Sequence, residues 1–249
     1  MRRKIVAANW KMNGSTALVR SLIGEIRGPL SSLDNGVGVV IIPPALYVSD
    51  VRAQIVETAI DLGVQNISRW DKGAYTGEIS ASMARDAGAG YTLVGHSERR
   101  QLFGESDDEV AAKVRQALDN QLAVILCVGE TLEEREGNRA EQVVQQQVRQ
   151  GLAKVNGDDW QGIVIAYEPV WAIGTGKTAT AEDAQAMHRE IRRVIAELGA
   201  PADNVSVLYG GSVKPDNASA LFSQPDIDGG LVGGASLIAE DFIRICQSA

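Results

Sequence analysis

Eight short apolar runs, separated by longer stretches of helical spacing, recur along this 249-residue chain. They are KIVAAN (4–9), GVGVVIIP (36–43), AIDLGVQ (59–65), YTLVGH (91–96), LAVILCVG (122–129), GIVIAYE (162–168), VSVLYGG (205–211) and IDGGLVGG (227–234). Between them, segments such as 107–118 and 182–198 carry apolar residues three and four apart with charges interspersed, the pattern of helices with one buried face. One helix is expected after each strand. Strands that are apolar almost throughout are buried on both sides, as parallel strands are when helices cover the sheet. Such an alternation either winds into an open sheet or closes on itself. Eight units in about 250 residues fit the (β/α)8 barrel: α/β, with eight parallel strands surrounded by helices. No Pro-, Gly- or Ser-rich linker and no change in composition breaks the chain, so residues 1–249 are expected to form one domain.

Composition narrows the function. With 45% hydrophobic residues there is enough apolar surface for a large core, and a net charge of −8 disfavours nucleic acid as a partner. The basic clusters at 2–4, 99–100 and 189–193 are interleaved with or followed by acids and read as solvated surface. Two cysteines supply neither a disulfide framework nor paired metal ligands, which fits a reducing cytoplasm. The apolar run near the start stops at Asn9, short of a signal-peptide core, and no stretch approaches the length of a membrane span.

A barrel gathers its chemistry at the C-terminal ends of its strands. There the sequence puts Asn9 and Lys11 after the first strand, His96, Ser97 and Glu98 after the fourth, and Glu168 after the sixth. The pairs Gly210–Gly211 (before Ser212) and Gly233–Gly234 follow the seventh and eighth, where bare backbone N–H groups suit an oxyanion. Each residue has a plainer reading by itself. Lys11 could be a surface lysine, Glu168 a helix-capping acid, Asn9 a turn residue, His96 a hydrogen-bonded structural group, and the glycines mere turns. Their convergence on one set of strand ends favours function. The second histidine, His188, lies mid-helix in AMHREIRR and is expected at the surface.

The loop AYEPVWAIGTGKTAT (166–180) contains Gly-Lys-Thr, the tail of a nucleotide-binding P-loop. The first glycine of that motif should fall at position 171, which is tryptophan. Gly174, Gly176 and Ala179 spell a dinucleotide fingerprint, but begin well beyond the strand and lack an acidic partner for a ribose. A stiff Pro169–Trp171 start, a light centre and a Thr180 N-cap with Asp183 three residues on suit a lid that closes over substrate and expels water; the plainer reading is a static surface loop.

Together, ANWKMNG, VGHSERR, AYEPVWAIGTGKTAT, YGGSVKP and GLVGGASL resemble the triosephosphate isomerase family, over nearly the whole chain from Asn9 to Leu237. The resemblance implies a TIM barrel that interconverts dihydroxyacetone phosphate and glyceraldehyde 3-phosphate, in glycolysis and gluconeogenesis, with no cofactor and no metal. It makes Glu168 the base, His96 a neutral hydrogen-bond donor at a helix N-terminus, Lys11 the positive charge and Asn9 a further donor. Gly174, Ser212, Gly233 and Gly234 grip the phosphate, and Ser97, Glu98 and Cys127 are supporting residues. It implies a cytoplasmic homodimer, in which the loop WDKGAYTGEIS (70–80), with Tyr75 and Thr76, braces the second subunit. Ala181 departs from the proline with which many relatives open the following helix, leaving the chemistry untouched. Two rival readings stand beside this one: another phosphosugar isomerase on a barrel, and a barrel retained only for binding. A metal-using enzyme would need convergent ligands that two distant histidines do not supply. A binding relic would have lost Asn9, Lys11, His96 or Glu168, and all four are present.

Overall fold

The computed structural model describes residues 2–173 and 179–249. Its strands are β1 (Ile5–Asn9), β2 (Gly38–Ile42), β3 (Ile60–Val64), β4 (Tyr91–Val94), β5 (Ala123–Val128), β6 (Ile163–Tyr167), β7 (Ser206–Tyr209) and β8 (Gly229–Val232). All eight pair in parallel in chain order, and β8 returns to β1 with Ile5 opposite Gly229, closing the barrel. Each expected run contains one of these strands, trimmed at its ends where the chain turns outward.

The helices around them are α1 (Thr16–Ser31), α2 (Val48–Ile55), α3 (Ala81–Asp86), α4 (Ser97–Phe103), α5 (Asp107–Asp119), α6 (Leu132–Glu136), α7 (Ala140–Gly151), α8 (Ala181–Glu197), α9 (Pro215–Phe222) and α10 (Ala239–Gln247). The expectation of one helix per strand fails after β4 and β5, where two follow. Gly104, left-handed at φ 67°, stops α4, and Ser106 caps α5 by accepting from the Glu109 N–H. Thr131 and Glu134 form a reciprocal cap on the short α6, which ends at Gly137 before α7 begins.

Strand alternation divides the apolar residues into two cores. One lies between sheet and helices and takes Val6, Ala8, Val39 and Ile165 with the buried faces of the helices, such as Val19, Leu22, Ile23 and Ile26 of α1. The other fills the barrel interior with Ile5, Ala7, Val40, Leu93, Ile125, Cys127, Val164, Ala166, Leu208 and Leu231. Each Val, Leu or Ile side chain among these, fully buried, contributes about 1.5–3 kcal/mol. The parity continues upward: 5, 7, 9 on β1 and 164, 166, 168 on β6 place Asn9 and Glu168 on the interior rim.

The basic clusters are not simply solvated. Arg192 is buried, ion-paired to Asp226 (2.9 Å) and Asp228, and donates to the Ala202 and Val205 carbonyls (3.0 Å each). Arg2 reaches Asp228 (2.8 Å), and Arg3 reaches the Tyr91 hydroxyl (3.1 Å). His188, expected at the surface, is fully buried, with Nδ1 3.3 Å from the Asp226 carbonyl and its ring near Tyr167 and Tyr209. The cause is α8, which buries Ala184, Met187, His188, Ile191, Arg192, Val194 and Ile195, a wider face than its charges suggest. Among the described residues, no helix is long and apolar enough to cross a membrane. Both cysteines are free and buried.

Candidate active site

A cavity of about 580 Å³ opens at the C-terminal ends of the strands, lined by Asn9, Lys11, His96, Glu168, Ser212 and Gly233 among others. Gly210, Gly211 and Gly234 line it too. Of the strand-end residues singled out in the sequence, all but Ser97 and Glu98 line this one cavity.

Glu168 reaches the cavity by strand parity, but His96 cannot, because Leu93 is the last inward residue of β4. Gly95 supplies the change of direction: its φ of 71° is a left-handed conformation, and a Cβ there would lie 2.9 Å from the Arg100 guanidinium. The chain turns, and His96 becomes the N-cap of α4. Its Nδ1 accepts from the Glu98 N–H (3.3 Å), a role open only to an unprotonated nitrogen, which leaves the hydrogen on Nε2. Nε2 lies 2.9 Å from Glu168 Oε1, and Glu168 Oε2 accepts from the Ser97 N–H at 2.9 Å.

The pair is deeply buried, Glu168 at 2% and His96 at 5% exposure. Burial would raise the Glu168 pKa, but His96, the Ser97 N–H and the Lys11 charge outweigh it and hold the carboxyl below the usual glutamate range. Burial favours neutral His96, while the adjoining carboxylate overrides it and lifts the imidazole above its ordinary value. Cys127 lies in the barrel interior, where burial first and the Glu168 charge second push its thiol far up, so it stays protonated.

Lys11 has a positive φ of 51°, a strained conformation for a side chain of this kind. Its N–H is held by Asn9 Oδ1 (3.0 Å), and its carbonyl accepts from Gln65 Nε2 (2.8 Å), which also contacts Asn9 Oδ1 (3.3 Å). Its ammonium pairs with Glu98 at 2.5 Å. Gln65 is a residue the sequence reading passed over, although it sits directly after β3. Glu130 was missed as well. It is fully buried, and its Oε1 takes hydrogen bonds from Tyr167 (3.1 Å) and Trp171 (2.8 Å), tying the start of the expected lid to the body of the barrel.

Beside the charged pair the wall is backbone. Gly210 donates to the Tyr167 carbonyl (2.7 Å), and a Cβ on it would lie 2.9 Å from Glu168 Cγ. Gly233 caps a short 3-10 turn (Gly234–Leu237) and would meet the Lys11 stem if it carried a Cβ (3.3 Å). The N–H groups opening such a turn have no partners within it and attract anions. Ser212 lines the same wall. Gly174 and the centre of the expected lid lie outside the described residues. Thr180, the expected cap at its far end, does accept from the Asp183 N–H (3.0 Å). Tyr75 and Thr76 stand on the exposed loop between β3 and α3, outside this cavity.

A pocket at the rim where the βα loops gather, lined by Lys11, His96, Glu168 and the glycine turns, defines a barrel enzyme acting on a small anionic molecule. The triosephosphate isomerase family model matches residues 4–249. The triosephosphate isomerase of Marinobacter nauticus is 64% identical over 248 residues, covering 100% of this chain and 98% of that protein. Those of Hydrogenovibrio crunogenus and Xanthomonas axonopodis pv. citri are each 52% identical, covering 100% of this chain and 99% of theirs. The chain belongs to the triosephosphate isomerase family.

Proposed function

We propose that residues 1–249 act as one catalytic domain interconverting dihydroxyacetone phosphate and D-glyceraldehyde 3-phosphate through an enediolate. The observation that carries this reading is the Glu168–His96 pair, 2.9 Å apart, facing a cavity that also holds Lys11 and the Gly233–Gly234 turn. Glu168 removes the proton from the carbon beside the carbonyl, and the electron pair moves onto the carbonyl oxygen. His96 Nε2–H and Lys11 stabilise that oxygen; the proton of the neighbouring hydroxyl passes to it by way of His96, and Glu168 returns its own proton to the neighbouring carbon as the carbonyl forms at the other oxygen. For this the carboxylate turns away from the Ser97 N–H and leaves Nε2–H to the substrate. Parting from the donors that depress its pKa makes it a stronger base at the moment it is needed. Asn9 fixes Lys11, and Ser212, Gly233, Gly234 and Gly174 hold the phosphate. Ser97 and Glu98 tether the resting groups, and Cys127 packs beneath them. A lid over residues 169–180 protects the enediolate, which would otherwise expel phosphate in water.

The test is turnover of glyceraldehyde 3-phosphate in deuterated water. Solvent deuterium should enter the product, and Glu168→Gln should lower turnover by about 10³-fold or more while phosphoglycolate still binds. A variant with near wild-type turnover would remove Glu168 from this role.

The same proposal includes a homodimer. Met12 (96% exposed), Leu46 (87%), Leu102 and Phe103 (70%) form apolar surface near a second cavity of about 260 Å³ that also touches Lys11, His96 and Glu98. A partner's loop of residues 70–80, stiffened by Trp70–Tyr75 stacking with ring centroids 5.1 Å apart, fits that chemistry, with Tyr75 and Thr76 at the tip. Light scattering should give twice the 26.5 kDa chain mass; a monomer with full activity would refute it. Two free, buried cysteines suit a cytoplasmic setting.

A further inference from the structure

The top of β5 has lost one of its two neighbours. β4 pairs with β5 as far as Val94 opposite Leu126, and then Gly95 turns the chain away into α4. On the other side the ladder to β6 runs on, with the Glu168 N–H donating to the Val128 carbonyl (2.7 Å) and the Val170 N–H to the Glu130 carbonyl (3.1 Å). Successive residues of a strand point their N–H and C=O groups to alternate sides, so those of Gly129 face the side β4 has vacated. One side chain meets both. The Gly129 N–H donates to Gln147 Oε1 (2.7 Å), and Gln147 Nε2 donates to the Gly129 carbonyl (3.2 Å). A primary amide offers the donor and acceptor of a peptide unit, and here, projected from α7, it replaces a strand residue.

Gly129 is also where β5 lies hard against the backbone of Glu168. A Cβ at this position would fall 1.7 Å from the Glu168 carbonyl oxygen and 3.2 Å from its Cα, so the two peptides touch without slack. Behind the carboxylate is a cavity of about 140 Å³ bordered by Ser97, Arg100, Gln147 and Glu168. Packing therefore leaves space beside Glu168, and its direction depends on how its backbone is pinned as well as on the His96 and Ser97 contacts.

We propose that Gln147 is a positioning residue for Glu168, clamping Gly129 so that the Glu168 backbone keeps one place from which the carboxylate turns to the substrate. The proposal rests on Glu168 being the base. Gln147→Met keeps length and volume and removes both hydrogen bonds; Gln147→Glu keeps the acceptor for the Gly129 N–H. For the Met variant kcat should fall about tenfold with KM changed less than about twofold, because misplacement by a fraction of an ångström weakens reaction more than binding. The acid limb of kcat/KM should move to higher pH as Glu168 drifts from the Ser97 N–H, and the Glu variant should recover most of the lost kcat. Should the Met variant not fold, Gln147→Asn, too short to span both groups, is expected to lower kcat about fivefold or more. A kcat within about twofold of wild type in whichever of the two folds, or a loss of kcat with an unmoved pH profile, overturns the proposal. Glu168→Gln run in parallel separates the two levels. If it is inactive while the Gln147 variants are unimpaired, only the clamp is wrong; if it is active, the assignment of the base falls, and the clamp with it.

Discussion

The two ends of the barrel are built from the same kinds of charged residue and use them in opposite ways. At the N-terminal end of the strands, Asp228 accepts from Arg2 (2.8 Å), from the Val207 N–H (2.9 Å) and from Arg192, while Lys4 donates to the Phe222 and Ile227 carbonyls (3.0 and 3.1 Å). Those groups hold one another and close the end. At the C-terminal end, Lys11, His96 and Glu168 border an open cavity, and their few contacts are ones a ligand can replace. Charge matched on all sides gives cohesion; charge left facing a cavity gives reactivity and strains the fold.

The largest effect expected from this contrast belongs to the closed end. Asp228→Ala leaves Arg192 buried without one of its carboxylates and should lower the free energy of unfolding by about 3–5 kcal/mol in urea titrations. Turnover of the molecules that remain folded should not change; a parallel fall in kcat would mean that the two ends are coupled. Lys11→Gly is the mirror experiment. It should reduce kcat/KM by about 10²–10³-fold. It should also leave the urea midpoint unchanged or raised, because glycine relieves the strain at φ 51°. A destabilised Lys11→Gly protein would show that the open end is also structural.

His188 sharpens the comparison through pH. Burial pushes its pKa down from 6.5 to about 3, so the folded protein holds it neutral where the unfolded chain binds a proton. Its contribution is whole above pH 6.5 and is lost as pH falls towards 3, at about 1.4 kcal/mol per unit. Between pH 6.5 and 5 it should cost about 2 kcal/mol, and His188→Gln should flatten that part of the stability profile, measured by urea midpoints at several pH values. The smallest effect is expected at the solvated ion pairs of Arg193 with Glu190 and Glu197. Arg193→Ala should not shift the midpoint measurably.

Alternation made much of this architecture legible beforehand. Eight strand–helix units in about 250 residues gave the closed barrel, and the positions after each strand gave Asn9, Lys11, His96, Glu168 and the glycine pairs that line the pocket. What could not be read depends on contacts between distant segments. His96 enters the cavity only because Gly95 breaks the parity of β4. Gln65, Glu130 and Gln147 are ordinary polar residues in the sequence, and their roles come from partners 18 to 56 positions away. His188 and Arg192 were misjudged because charged neighbours along α8 concealed how far the helix is enclosed.

Closure of the ring has a consequence for the behaviour of the chain in concentrated solution. With β8 hydrogen-bonded to β1, the sheet has no free row of N–H and C=O groups to template strand addition by another molecule. Association is thereby confined to side-chain surfaces such as the one around Met12 and Phe103, which a single matching partner can saturate. Under the pairing proposed above, native molecules of this chain should stop at the dimer, and fibrous aggregation should require the ring to open first.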